Sequence, residues 1–261
     1  MSSIMVETLK RTISSIEQAS VVSHEEKNFS LGSDDIDQLF AGNGIPQGSL
    51  LEVLPQSYKQ RSAAIGATLA VSARLLFEKP GPVIWCQLRD PERLHLHAPG
   101  LMAFGIDPAN IIKLTLKSER DLLWAIEEAL DCSYVSCVVG VLWSEKMYDF
   151  KASRRLLLRA KENGVCCMML RSHRANATTA ATLRWSVKSL ESNMMVKRPP
   201  YLPRLGQTQW QLDILKSRLA NSRSLEVGWN REAVSFHMAS RLGDRKNVSP
   251  RPVRESHKLY G

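Results

Sequence analysis

No glycine occupies the turn in EVLPQSYKQRSAAIGATLAVSARLLF, a stretch that begins at Glu52 and has the outline of strand, turn and long helix in which nucleotide-binding proteins keep a phosphate loop. Without glycine, a Cβ at each critical position disfavours positive φ and crowds the concavity where backbone N–H groups would close around phosphate. No apolar run approaches the ~18 residues needed to span a bilayer, and MSSIMVETLKR lacks the uninterrupted apolar stretch of a secretory signal. A cytoplasmic protein without membrane contact is therefore expected. The five cysteines, Cys86, Cys132, Cys137, Cys166 and Cys167, have neither C-x-x-C spacing nor a nearby His pattern, so they read as small buried apolar residues and not as a zinc or disulfide framework. His95 and His97 have no Cys or carboxylate at ligand spacing, and no metal is expected.

Carboxylates are scarce where cations are dense. The chain carries 35 Lys and Arg against 26 Asp and Glu, a formal charge of +9. Arg171, Arg174, Arg184, Lys188, Lys197, Arg198 and Arg204 face only Glu191 in their own stretch. Such an excess favours anionic partners, nucleic acid or an acidic protein face.

Within its 261 residues the chain has room for one large domain with appendages. ETLKRTISSIEQ places Leu9, Ile13 and Ile16 at helical spacing and predicts an amphipathic helix that docks on the core or on a partner. A polar linker follows it, so residues 1–28 form the first unit. IDQLF then predicts a short helix, AGNG and PQG predict turns, and SLLEVL a strand. PVIWCQL, NIIKLTL, SCVVGVLW and VCCMMLRS read as further strands, with PGLMAFGI, ERDLLWAIEEAL and KASRRLLLRAKENG as the helices between them. Apolar strands separated by helices describe an α/β domain built on a mostly parallel sheet covered on both faces, assigned to residues 29–240. TQWQLDILKSR and SLEVGWNREAVSFHMA predict antiparallel strands around Asn230. Residues 241–261 have Pro, Arg and Ser without apolar periodicity and are expected to be a disordered basic tail, whose Arg245, Lys246, Arg251, Arg254 and Lys258 would contact DNA or an acidic partner face.

In the register of G-x-x-x-x-G-K-[ST], Leu54 and Lys59 take the glycine positions, Gln60 the lysine position and Arg61 the hydroxyl position. Gln60 brings no charge and Arg61 cannot hold a cation, so these four residues describe a degenerate, non-functional phosphate loop. SCVVGVLW ends in Val141 and Leu142 where a metal-holding acid would stand, and Gln87 replaces a water-polarising acid. No cofactor and no catalytic residue are expected.

The layout resembles the ImuA family, RecA-like and SulA-like accessory proteins of bacterial translesion synthesis. SLGSDDIDQLFAGNGIPQGSLLEVLP is similar to the RecA-family opening of short helix, Gly-rich turn and first core strand. HAPGLMAFGIDPANIIKL, ERDLLWAIEEAL, CVVGVL, ASRRLLLRAKENGV and LGQTQWQLDILKSR follow in the order of their counterparts, covering roughly residues 4 to 240. The resemblance implies a RecA-like fold without a working nucleotide site. It also implies a non-catalytic adaptor of SOS-induced mutagenesis whose partners are an inactive Y-family polymerase-like protein of the ImuB type and RecA. An SulA-like cell-division inhibitor and a divergent ATPase acting through Lys59 or Arg61 are the alternatives.

Overall fold

The structure is a computed structural model and describes residues 27–89, 96–143, 146–191, 206–217 and 224–239. Two short strands, β1 (Asn28–Phe29) and β2 (Ile45–Pro46), pair antiparallel around helix α1 (Asp34–Asp37). The parallel core is built from β3 (Leu50–Pro55), β4 (Val83–Leu88), β5 (Ile111–Leu116), β6 (Cys137–Leu142), β7 (Cys166–Arg171) and β8 (Leu183–Ser189). Strands β9 (Gln209–Ser217), β10 (Ser224–Asn230) and β11 (Ser235–Met238) extend it antiparallel. Together these nine form one sheet in the order β11-β10-β9-β8-β3-β7-β6-β4-β5. The expected α/β architecture, a mostly parallel sheet with helices on both faces, is what the chain adopts.

Alternation along each strand decides which face it feeds. Leu51, Val53, Trp85, Val139 and Met168 point to one face and pack on α2 (Arg61–Glu78), whereas Leu50, Cys86, Val138, Cys167 and Met169 point to the other. That second face is covered by α4 (Glu119–Leu130) and α5 (Phe150–Asn163); a short helix, α3 (Ala98–Ala103), lies between β4 and β5. At Gly140 in β6 a Cβ would lie 2.5 Å from Ile126 Cδ1 of α4 and 2.6 Å from Met169 Sδ, so a larger residue would displace the ends of those two side chains. Ser118 and Asp149 cap α4 and α5 by accepting from Asp121 N and Ala152 N, and α5 ends at Gly164 with φ 62, in the left-handed region.

Helix α2 is buried along most of its length, since the sheet lies on one side and β1 and β11 on another. Its Arg74 donates to Ser30 O at 2.9 Å and Val234 O at 3.1 Å, tying the N-terminal hairpin and the β10–β11 turn to one helix.

Two expectations need correction. Strand β5, expected to be covered on both faces like its neighbours, ends the sheet and leaves Ile112, Lys113 and Thr115 exposed, and no strand lies beyond it among the described residues. Strand β8, which pairs parallel to β3 from Leu51↔Leu183 to Pro55↔Val187, was not foreseen. Leu9, Ile13, Ile16 and the tail cations Arg245, Lys246, Arg251, Arg254 and Lys258 lie outside the described residues, as does His95. Among the described residues no helix is long and apolar enough to cross a membrane, and no group of His, Cys, Asp and Glu is arranged for a metal ion.

All five thiols are free, and only Cys132 is exposed. Burial pushes Cys86 and Cys137 up to about 12 and raises Cys166 and Cys167 above the ordinary thiol range. Because the thiolate is the nucleophile, Ellman's reagent should titrate a single thiol in the native protein and all five in denaturant. A second fast native thiol would contradict this packing. Unfolded thiols ionise near ~8.5 while these stay protonated, so their contribution to stability is complete below that pH and is lost as pH rises toward 12.

Candidate functional site

The turn after β3 stands at a topological switch. Strand β3 is followed by α2 on one face of the sheet, and β6, beyond β7, is followed by α5 on the other, so the carboxyl ends of these strands flank the position where doubly wound proteins bind ligands. The residues of the turn decide what that position can hold.

Leu54 is not in the turn. It is a strand residue, 4% exposed, paired with Ser186 of β8. The turn proper runs from Gln56 and is closed by a 3-10 segment, Tyr58–Gln60, in which Gln60 N donates to Ser57 O at 2.9 Å. Gln56 N donates to Val187 O, and Gln60 Oε1 accepts from both Ser189 N and Ser189 Oγ at 2.9 Å. The side chain at the P-loop lysine position is thus used to stitch the turn to β8. Lys59 is exposed. Arg61 opens α2, and its guanidinium lies over the Tyr58 ring at 4.3 Å and the Trp143 ring at 4.7 Å. The turn presents exposed side chains from Gln56 to Lys59 and commits the Gln60 amide to Ser189, where a phosphate loop presents bare backbone N–H groups.

The two positions expected to lack acids have apolar or amide roles. Val141 is buried in β6 against the α2 face. Gln87 is 5% exposed and accepts from Trp85 Nε1 at 3.1 Å, an amide fixed by an indole two residues away on the same strand.

An acid does sit inside the sheet, at Glu52, where the sequence reading placed no role. Its carboxylate is fully buried and accepts from Arg171 Nη1 at 2.8 Å, Arg184 Nε at 2.6 Å and Tyr148 OH at 2.9 Å. Burial, and then the Glu52 charge beside it, raise the Tyr148 hydroxyl well above the ordinary phenol range, so it stays a donor. Arg184 Nη2 also donates to Ala177 O and Thr179 Oγ1, which clamps the β7–β8 connection onto the sheet. This corrects the charge argument: Arg171 is fully buried and Arg184 mostly so, and both are internal partners of Glu52, so they add little to any surface for an anionic partner. The signal was present as a lone acid in LLEVL and a lone cation closing CCMMLR.

No family model matches the chain. Protein ImuA of Caulobacter vibrioides, in each of two strains, is 26% identical to it over 201 residues, which cover 72% of this chain and 78% of the relative. The chain is similar to Protein ImuA over most of its length. The resemblance read from the order of its strands and helices therefore agrees with a likeness measured along most of its length. In this chain Val141 and Gln87 are paired at the carboxyl ends of β6 and β4, and β7 separates them from the turn after β3.

Proposed function

We propose that this chain is a non-catalytic accessory factor of error-prone translesion synthesis, a RecA-like domain that keeps the fold and has given up the nucleotide. Its partners in this reading are an ImuB-type polymerase-like protein and RecA, and its work is to raise their local concentration at damaged DNA, which requires no reaction. The observation that carries the reading is the likeness to ImuA over 72% of the chain. The turn after β3 supports it, because Gln60 is committed to Ser189 and Arg61 lies over two aromatic rings. So does the nine-stranded sheet, whose central strand β3 leads through that turn into a long buried helix.

The test is genetic and biochemical together. Cells lacking the protein should lose damage-induced mutation while growing and dividing normally, and a tagged copy should retain an ImuB-type protein and RecA after DNA damage. Filamentation on overexpression with unchanged mutation frequency would replace the reading with that of a cell-division inhibitor.

A further inference from the structure

Strand β5 closes one end of the nine-stranded sheet and pairs only with β4, in consecutive steps from Val83↔Ile111 to Leu88↔Leu116. Leu116 O accepts from Arg89 N at 2.8 Å, so the N–H and C=O groups of Ile112, Leu114 and Leu116 point to β4. By the alternation of a strand, those of Ile111, Lys113 and Thr115 point out of the sheet, and no described residue bonds to them. An edge of this kind is a template for a further strand unless a proline, a bulge, a short length or a covering helix blunts it. IIKLTL has no proline and its register with β4 runs without a bulge. Ile112 is 48% exposed, and Lys113 and Thr115 are exposed beside it. The opposite edge, β11, is only four residues long.

The sequence of β5 is complementary to itself. Leu114 and Leu116, with Ile112 in line, point to the face that α4 covers farther in, and Lys113 and Thr115 point to the other. Two copies laid antiparallel about a two-fold axis at Leu114 bring Lys113 opposite Thr115 of the second copy, with their outward N–H and C=O groups exchanged. On the other face Leu114 then stands opposite Leu114 of the second copy, and Ile112 opposite Leu116 on either side of it. The junction gains a continuous apolar row, and no cation lies directly opposite another. An axis at Lys113 would instead oppose the two lysines.

We propose that β5 is the contact of a symmetric dimer, in which two copies of this chain join their sheets edge to edge by antiparallel pairing of residues 111–117. The backbone groups that one sheet leaves unused are satisfied by the same groups of the other. A two-fold dimer presents every other surface of the chain twice, so a second contact with one partner becomes intramolecular. The proposal does not rest on the accessory-factor reading.

Sedimentation of the full chain from about 1 to 100 μM should show the mass rising from 29.3 kDa toward twice that value. Ile112→Lys puts a charge into the apolar row, and Thr115→Pro removes an outward N–H but no bond to β4. Each should weaken the dimer about tenfold or more while the far-ultraviolet circular dichroism stays that of the parent. The register is read by a cross-link in a Cys132→Ser background, which removes the one exposed thiol. Leu114→Cys would stand opposite its own copy at a Cα spacing of about 4.5 Å, which a disulfide spans, and should oxidise to a covalent dimer. Ile112→Cys is at a more exposed position but stands opposite Leu116, and should not cross-link. A parent that stays monomeric throughout this range would leave the edge to a strand of another protein and overturn the proposal. So would a dimer that neither Ile112→Lys nor Thr115→Pro weakens, or cross-linking of Ile112→Cys as fast as that of Leu114→Cys.

Discussion

Replacing Glu52 by alanine should destabilise the fold by about 3–5 kcal/mol, the cost of breaking a buried ion pair from one side. Arg171 is fully buried and would keep its charge without a carboxylate, and Arg184 would lose the partner of its Nε. Tyr148 OH would lose its acceptor in the same step. Glu52→Gln should recover little, because it keeps the shape and not the charge. Adding Arg171→Met to Glu52→Ala should restore part of the loss, since an apolar side chain of similar length removes the orphaned cation. Denaturant melts of the parent, Glu52→Ala, Arg171→Met and the double variant form a cycle that reads the coupling directly. A Glu52→Ala protein as stable as the parent would show that the cluster is dispensable to the fold.

Trp210→Ala should cost about 3–5 kcal/mol as well, by a different route. Trp210 is 1% exposed, lies 6.3 Å from Phe104 and 6.1 Å from Phe236 between ring centroids, and belongs to a group of four rings completed by Trp229. The indole also fills the space against α2 at Gly66, where a Cβ would approach it to 3.2 Å. Its removal leaves a cavity at the junction of the parallel core and the antiparallel extension, so the melting temperature should fall by roughly 10 °C or more. The accompanying loss of near-ultraviolet circular dichroism should exceed that of Trp124→Ala, because Trp124 is 62% exposed on α4. Equal effects for the two tryptophans would contradict the packing described.

The elements that were legible in the sequence are those whose burial is complete. VIWCQL, CVVGVL and CCMMLR are apolar almost throughout because helices cover both faces, and ERDLLWAIEEAL matches α4 from Glu119 to Leu130. Strand β8 escaped because it is only half covered. Leu183, Trp185 and Val187 face the α2 core while Arg184, Ser186 and Lys188 face away, and an alternating strand between loops has a weaker signature than an apolar run. The turn after β3 was read correctly as lacking glycine, but the use of Gln60 could not be foreseen, since its partner Ser189 lies 129 residues away on the unforeseen strand. Glu52 was hidden for the same physical reason. A lone acid in an apolar strand is meaningful only when the cations that neutralise it are known, and Arg171 and Arg184 are 119 and 132 residues distant.

The central claim is that this protein works without nucleotide chemistry, and phosphate release from ATP and Mg²⁺ by the purified full chain tests it most directly. The account predicts release no faster than in buffer, and no difference between the parent and a Lys59→Ala, Arg61→Ala double variant. Sustained turnover by the parent that the double variant abolishes would contradict it, and would make the turn after β3 a working phosphate site built without glycine.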